Sequence, residues 1–273
     1  MKPDTVLLGF RDEEHPRDFF RDPMSPYKTD QFELEGGQVM FPARRHGDGR
    51  LDAAEYVQII ADVLCVGKNV CVCRGFQKLD MAAVERRAPH LRYIDVWLVS
   101  PLAPSAEEPF TVRALFALQL AAVVRSARGW QHLRLRVHLA QGPASGPLET
   151  AAPLDARPAQ ERLDELLKLL RIDATTHMVT EWPAIQETPN WPMDGSTDES
   201  IYQRVPMTYL QTVNRMIRDR CADGTAVTFV QLPRPPSDIA LCDQYLKILD
   251  ELTKDLSPTI LVRGLKSVTS TSL

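Results

Sequence analysis

The sequence predicts an α/β fold, a mostly parallel sheet with helices on both faces. The clearest support lies at the end of the chain, Thr225–Leu273. Ala226–Leu232 (AVTFVQL) is a short apolar run of buried-strand length. Pro233, Pro235 and Pro236 end it, because proline cannot donate to a sheet ladder. Leu241, Tyr245, Leu249, Leu252 and Leu256 then recur at three- and four-residue steps and mark one apolar helix stripe. Ser257-Pro258 stops that helix, and Thr259–Val262 (TILV) is a second strand closed by Gly264. Strand, helix and strand at this spacing make a βαβ unit, with parallel strands and a right-handed connection. The second observation is that the rest of the chain repeats this unit. The third is composition: 273 residues, 44% hydrophobic and 25% charged, suffice for a sizeable core.

In chain order, Thr5–Phe10 (TVLLGF) reads as a short buried strand. Residues 11–50 are rich in charge, Pro and Gly without a period, and are expected to be loop or linker. Asp52-Ala-Ala-Glu55 is an aspartate version of the capping box. It opens a helix with Val57, Ile60, Ala61 and Leu64 inward, and Gly67 stops it. Asn69–Arg74 (NVCVCR) is the next strand, residues 86–92 are basic and loop-like or helical, and Ile94–Val99 (IDVWLV) is another strand. Thr111 can cap a helix over 112–128. Its span Val112–Val124 carries only Arg113 and Gln119 as polar residues, which predicts burial on several sides.

Leu133–Ala140 (LRLRVHLA) alternates strictly, so Arg134, Arg136 and His138 share a face that meets solvent or a polar partner. Residues 141–157 form a Gly/Pro/Ala linker. Pro158 suits a first helical turn, and Leu163, Leu166, Leu167 and Leu170 mark the amphipathic helix that follows. Ala174–Thr180 is a weaker strand. Glu181–Gln203 holds five acids, no basic residue, three prolines and two tryptophans, and reads as an exposed excursion. A helix over 207–222 turns Tyr209, Val213, Met216 and Ile217 inward. The total, about seven strands and five long helices in alternation, is the α/β pattern.

The net charge of −4 leaves no electrostatic footprint for nucleic acid or an anionic membrane. Five cysteines, an odd count, suit reduced thiols. No stretch approaches the roughly 18 apolar residues of a membrane span.

The chemical inventory is thin. Cys71-Val-Cys73 could suggest a metal, but ligand pairs need a turn between them, and buried small residues in a sheet explain them better. The histidines His15, His46, His90, His132, His138 and His177 are scattered, and a solvated His138 is favoured over a ligand. Nucleotide binding would need a glycine-rich turn between strand and helix, and only Gly75 and Gly264 follow strands. No Gly-x-Ser-x-Gly elbow occurs. Asp95, an acid in an apolar strand, is either catalytic or a strand-end carboxylate held by backbone N–H groups, and the second is favoured. Ser196-Thr197-Asp198-Glu199 fits an acid-directed kinase, although a solvated loop is the plainer account. The sequence therefore offers no catalytic residue, cofactor or metal site.

Several stretches, in order, resemble the cytosolic C-terminal region of the cation-chloride cotransporters, solute carrier family 12. Met1–Phe10 (MKPDTVLLGF) is similar to the family's MKPNTLVLGF strand, with Asp4 where Asn is usual. Lys254–Gly264 (KDLSPTILVRG) is similar to its terminal KDLPPxLLVRG. Tyr93–Trp97, Leu170–Asp173 and Asn69–Arg74 fall between them in the family's order. Leu232–Asp238 and Val268–Leu273 look most like its cotransporter-interacting branch. The motif positions are Lys2, Pro3, Gly9, Phe10, Asp95, Asp255, Pro258, Val262, Arg263 and Gly264.

This resemblance implies a universal-stress-protein-like layout and a regulatory and assembly role without catalysis. It places the region on the cytosolic side of a membrane protein whose transmembrane bundle moves chloride and cations. Its implied partners are that bundle and a second copy or another cation-chloride cotransporter. Residues 1–10 are then expected to be the last strand of a preceding lobe absent from this chain, and 51–273 the α/β regulatory lobe. A free-standing α/β nucleotide-binding protein is the alternative.

Overall fold

Seven strands form one sheet among the residues that the computed structural model describes, which are 4–11, 51–102, 110–140, 158–180, 201–222 and 224–266. They are β1 (Thr5–Gly9), β2 (Asn69–Arg74), β3 (Tyr93–Trp97), β4 (Arg134–Ala140), β5 (Ala174–Val179), β6 (Thr225–Gln231) and β7 (Thr259–Arg263). Their spatial order is β1-β2-β7-β6-β3-β4-β5. The helices are α1 (Ala53–Cys65), α2 (Met81–Glu85), α3 (Val112–Ser126), α4 (Ala159–Leu169), α5 (Ile201–Arg204), α6 (Met207–Cys221) and α7 (Cys242–Thr253). The α/β prediction holds. The terminal βαβ unit is present, with β6 and β7 paired in parallel from Thr228 opposite Thr259 to Gln231 opposite Val262.

One pairing breaks the parallel rule. β2 runs antiparallel to β7, with Val70 opposite Arg263 and Arg74 opposite Thr259. β1 is parallel to β2, so these two strands run against the other five. Strand composition cannot encode this direction, because an apolar run buries equally well either way round.

Side-chain alternation divides each strand between two cores. Val70, Val72, Val230 and Leu261 point toward α1, α6 and α7. Cys71, Ile94, Val96, Val137, Phe229 and Val262 point toward α3 and α4. Both sheet faces are therefore covered, and β6 is buried along its whole length, its polar Thr225, Thr228 and Gln231 included. The Asp52 capping box forms with both of its bonds, Glu55 N to Asp52 Oδ1 at 2.6 Å and Asp52 N to Glu55 Oε2 at 3.1 Å. Gly67, at φ 72°, turns the chain out of α1, in a conformation that L side chains avoid.

Several local expectations change. β1 is an edge strand rather than a buried one, and Leu7 is 69% exposed. β3 spans Tyr93–Trp97; Leu98 and Val99 remain buried beyond it. The helix near the basic stretch lies upstream of it, at Met81–Glu85, where Asp80 caps Ala83 N. α7 stops at Thr253, ahead of Leu256, because Lys254 turns to extended backbone at ψ 128°, and Asp255 follows in a left-handed turn at φ 57°. α3 is not enclosed: Val112 and Val123 are 49% and 45% exposed on its outer side. The expected 11–50 and 141–157 loops, apart from Arg11, and most of the 181–203 excursion lie outside the described residues; Ile201–Gln203 falls within α5.

α3 lies directly against the end of β7. A Cβ placed on Gly264 would fall inside the van der Waals envelope of Phe116, starting at that residue's own Cβ, which cannot swing away. Gly264→Ala is expected to cost about 1–3 kcal/mol by overpacking, read as a lower urea midpoint at unchanged m-value.

Candidate functional site

The most connected group of polar side chains among the described residues is buried at the middle of the sheet. Asp95 is fully buried on the α6 side of β3, because its neighbours Ile94 and Val96 face α3. The adjacent strand supplies the partners. Arg136 Nε donates to Asp95 Oδ1 and Arg136 Nη2 to Oδ2, both at 2.7 Å. This is a bidentate fork, the strongest geometry for a guanidinium and a carboxylate. His138 Nε2 lies 3.0 Å from Oδ1; a carboxylate only accepts, so Nε2 carries the proton. From the other side, the Thr225 hydroxyl of β6 donates to Oδ2. Arg136 Nη2 also reaches Thr225 Oγ1 at 3.1 Å and the Arg220 carbonyl of the last turn of α6 at 3.4 Å.

Aromatic rings close the cluster. Arg136 Cζ stands 3.9 Å from the centroid of Tyr93, a cation–π contact. His138 stacks on Trp97 with centroids 4.3 Å apart and an interplanar angle of 12°. Burial alone would push the Asp95 carboxyl up. Hydrogen bonds from His138 and Arg136, the charge of His138 and the Thr225 hydroxyl outweigh it and hold the carboxyl at about 2. The carboxylate is thus ionised at neutral pH and engaged by its donors, and it is a poor proton acceptor there.

These contacts correct two expectations. Asp95 is held by side chains and not by backbone N–H groups, because both flanking strands aim donors at it. His138 is 2% exposed and not solvated, because α6 and the Trp97 ring cover the polar face of β4. The alternating pattern of β4 already carried the missed signal: Arg136 and His138 stand two residues apart on the face opposite the apolar one, and the acid lies in an apolar strand.

An open cleft of about 260 Å³ adjoins the cluster at the amino ends of β6 and β7, lined by Arg218, Cys221, Thr225, Asp255 and Ser257. It lies at the end of the sheet opposite the carboxyl edges, where open α/β sheets bind ligands. Burial, then the charge of Asp95, pushes the Cys221 thiol up to about 12, so it is no nucleophile at neutral pH. Cys71 is buried and Cys73 half-buried; burial, then Cys73, raises Cys71 to about 12. No group of three or more His, Cys, Asp or Glu among the described residues is placed to hold a metal.

The family-motif positions do not converge. Lys2 and Pro3 lie outside the described residues. The Gly9 carbonyl accepts the Tyr56 hydroxyl at 2.6 Å, and Phe10 lies under Arg74 with Cζ 4.4 Å from its centroid. Asp255 and Pro258 sit at the amino end of β7, where the Pro258 carbonyl accepts Thr228 N at 2.8 Å. Val262, Arg263 and Gly264 sit at its carboxyl end. The terminal motif therefore spans the height of the sheet, and Asp95 stands apart from it.

Fold and cluster together define a helix-flanked α/β domain with a buried, fully paired carboxylate at the middle of its sheet. Its relatives are members of a transporter family. The chain is 35% identical over 286 residues to solute carrier family 12 member 9 of Danio rerio, covering 100% of this chain and 30% of that protein. It is 35% identical to the Xenopus laevis protein of that name and 32% identical to the human one, over 31% and 32% of their lengths. The resemblance to solute carrier family 12, and to member 9 within it, thus holds along the whole chain, which spans about 30% of the curated relatives it matches. No protein-family model matches. The relatives are named as solute carriers and not as enzymes. No helix among the described residues is long and apolar enough to cross a membrane.

Two outcomes follow from the buried charge. Asp95→Asn leaves the Arg136 guanidinium buried without its counter-charge and is expected to cost about 3–5 kcal/mol. A double-mutant cycle with Arg136→Met should recover much of that loss. Because the folded carboxyl sits at about 2 against 3.8 for the free group, acid protonates the unfolded chain first. The stability from Asp95 is complete above about pH 4 and drains away as pH falls toward 2. Urea titrations across that window should show a wild-type slope that Asp95→Asn lacks.

Proposed function

We propose that this chain is the C-terminal regulatory and assembly domain of a cation-chloride cotransporter-like membrane protein, exposed on the cytosolic side and without catalysis of its own. The observation that carries the reading is the match along the whole chain to about 30% of proteins named as solute carriers. The described part has no membrane-spanning helix, so ion movement falls to the remainder of such a protein. Its partners are then that membrane-embedded remainder and a second copy or another cation-chloride cotransporter. Nucleic acid is not among them, given a net charge of −4.

The surface supports a contact role. β1 offers an edge without a strand on its outer side among the described residues, and Leu7 is 69% exposed on it. Such an edge is a template for another strand. In this reading β1 continues the sheet of a preceding lobe.

The test is a deletion of this region from the full-length protein expressed in cells. Delivery to the membrane and the oligomeric fraction on native gels are expected to fall severalfold, while the membrane-embedded part stays folded by protease resistance. Unchanged delivery and assembly would overturn the proposal.

A further inference from the structure

Three arginines gather at the carboxyl ends of β6 and β7 without a carboxylate among the described residues to balance them. Arg263 ends β7. Arg234 follows β6, in a segment tied down by Leu232 N to Val262 O at 2.8 Å and by Arg263 Nη1 to Leu232 O at 3.1 Å. Arg113 lies in the first turn of α3, one turn before the Phe116 that presses on Gly264. Arg263 is half-buried. Burial first, then the charge of Arg113, with Arg234 adding to it, lowers its pKa to about 10. The Leu232 carbonyl is the one acceptor it has among the described residues, so most of its donors are unused.

Two further features lie beside it on the α3 face of the sheet. Gln231, 3% exposed at the end of β6, carries an amide nitrogen with no hydrogen-bond partner. The positive end of α3 arrives with no acid in its first turn. The topology puts a switch point beside it, between β3 and β6. β3 leads into α3 on one face of the sheet, while its neighbour β6 leads into α7 on the other. Such a switch point, at the carboxyl ends of the strands, is where open α/β sheets take ligands.

Like charges gathered around a half-buried guanidinium such as that of Arg263 disfavour its charged form unless a counter-charge joins them. We infer that the rim of the sheet over the carboxyl ends of β3, β6 and β7 is an oxyanion site that takes a phosphate-type group on Arg113, Arg234 and Arg263. With no glycine-rich loop present, planar guanidinium forks supply the grip in place of backbone N–H groups. The inference does not rest on the proposed transporter role.

The test uses the 273-residue chain. Thermal midpoints are measured against inorganic phosphate and against sodium chloride at matched ionic strength, with calorimetric titration of phosphate alongside. Phosphate is expected to raise the midpoint saturably, as a ligand that binds only the folded state must. Arg113→Gln with Arg234→Gln, both at exposed positions, should weaken phosphate about tenfold or more while leaving the midpoint in chloride near wild type. Arg263→Lys, which keeps the charge but loses the fork, should weaken it less. A phosphate response no larger than that of chloride, or one unchanged in the double variant, would overturn the site.

Discussion

A full negative charge at the centre of an apolar sheet organises this fold. Asp95 has no route to water, so it can remain ionised only if its donors arrive from both neighbouring strands at once. β4 provides Arg136 and His138, β6 provides Thr225, and the last turn of α6 provides a carbonyl for Arg136. Slipping either strand by one residue would turn the donors to the other face and strand the carboxylate. Apolar packing alone would tolerate several registers of runs as uniform as ILE- and VAL-rich strands; the charge tolerates one. It also anchors α6 at its negative end, which a guanidinium suits.

The sequence made much of this architecture legible, because its signals are local. The Asp52 box, the Gly67 stop and the prolines after Leu232 act within a few residues, and each lies where the pattern puts it. Strand direction was not legible. The reversed entry of β1 and β2 depends on which edge of β7 is open when they pair, and no residue of NVCVCR records that. Burial on α3 was over-read for a related reason: an apolar surface shows what could be covered, and Val112 and Val123 remain uncovered by any described residue.

The polar cluster was half legible. An acid in YIDVW announces a buried partner, and three bases on one face of RLRVHLA announce an acid, but the two runs lie far apart in the chain and only the pairing of β3 with β4 joins them. Thr225 gave no signal, since a threonine opening a strand is commonplace. The arginines at the carboxyl edge come from three separate segments, and that they meet there with no acid partner among the described residues shows only once the sheet is assembled. Family resemblance and site geometry also carry different information here. The terminal motif is read as one word in the sequence, yet its letters fall at both ends of β7.

The reversed direction of β1 and β2 has a consequence for how this domain could be wired to anything attached ahead of it. Because Val70 lies opposite Arg263 and Thr5 opposite Asn69, β1 begins at the end of the sheet where β7 finishes. Asn69 bridges the two by accepting Leu265 N at 2.8 Å and Lys266 N at 3.3 Å through its side-chain oxygen. Two strand spacings, about 10 Å, separate Thr5 from Arg263 at the end of β7. Had β1 run with the majority, the opposite rim would have received it. A tether arriving at Thr5 therefore shares a rim with Arg263, and tension or release along that tether is placed to be felt by any anion held on that rim, and the reverse.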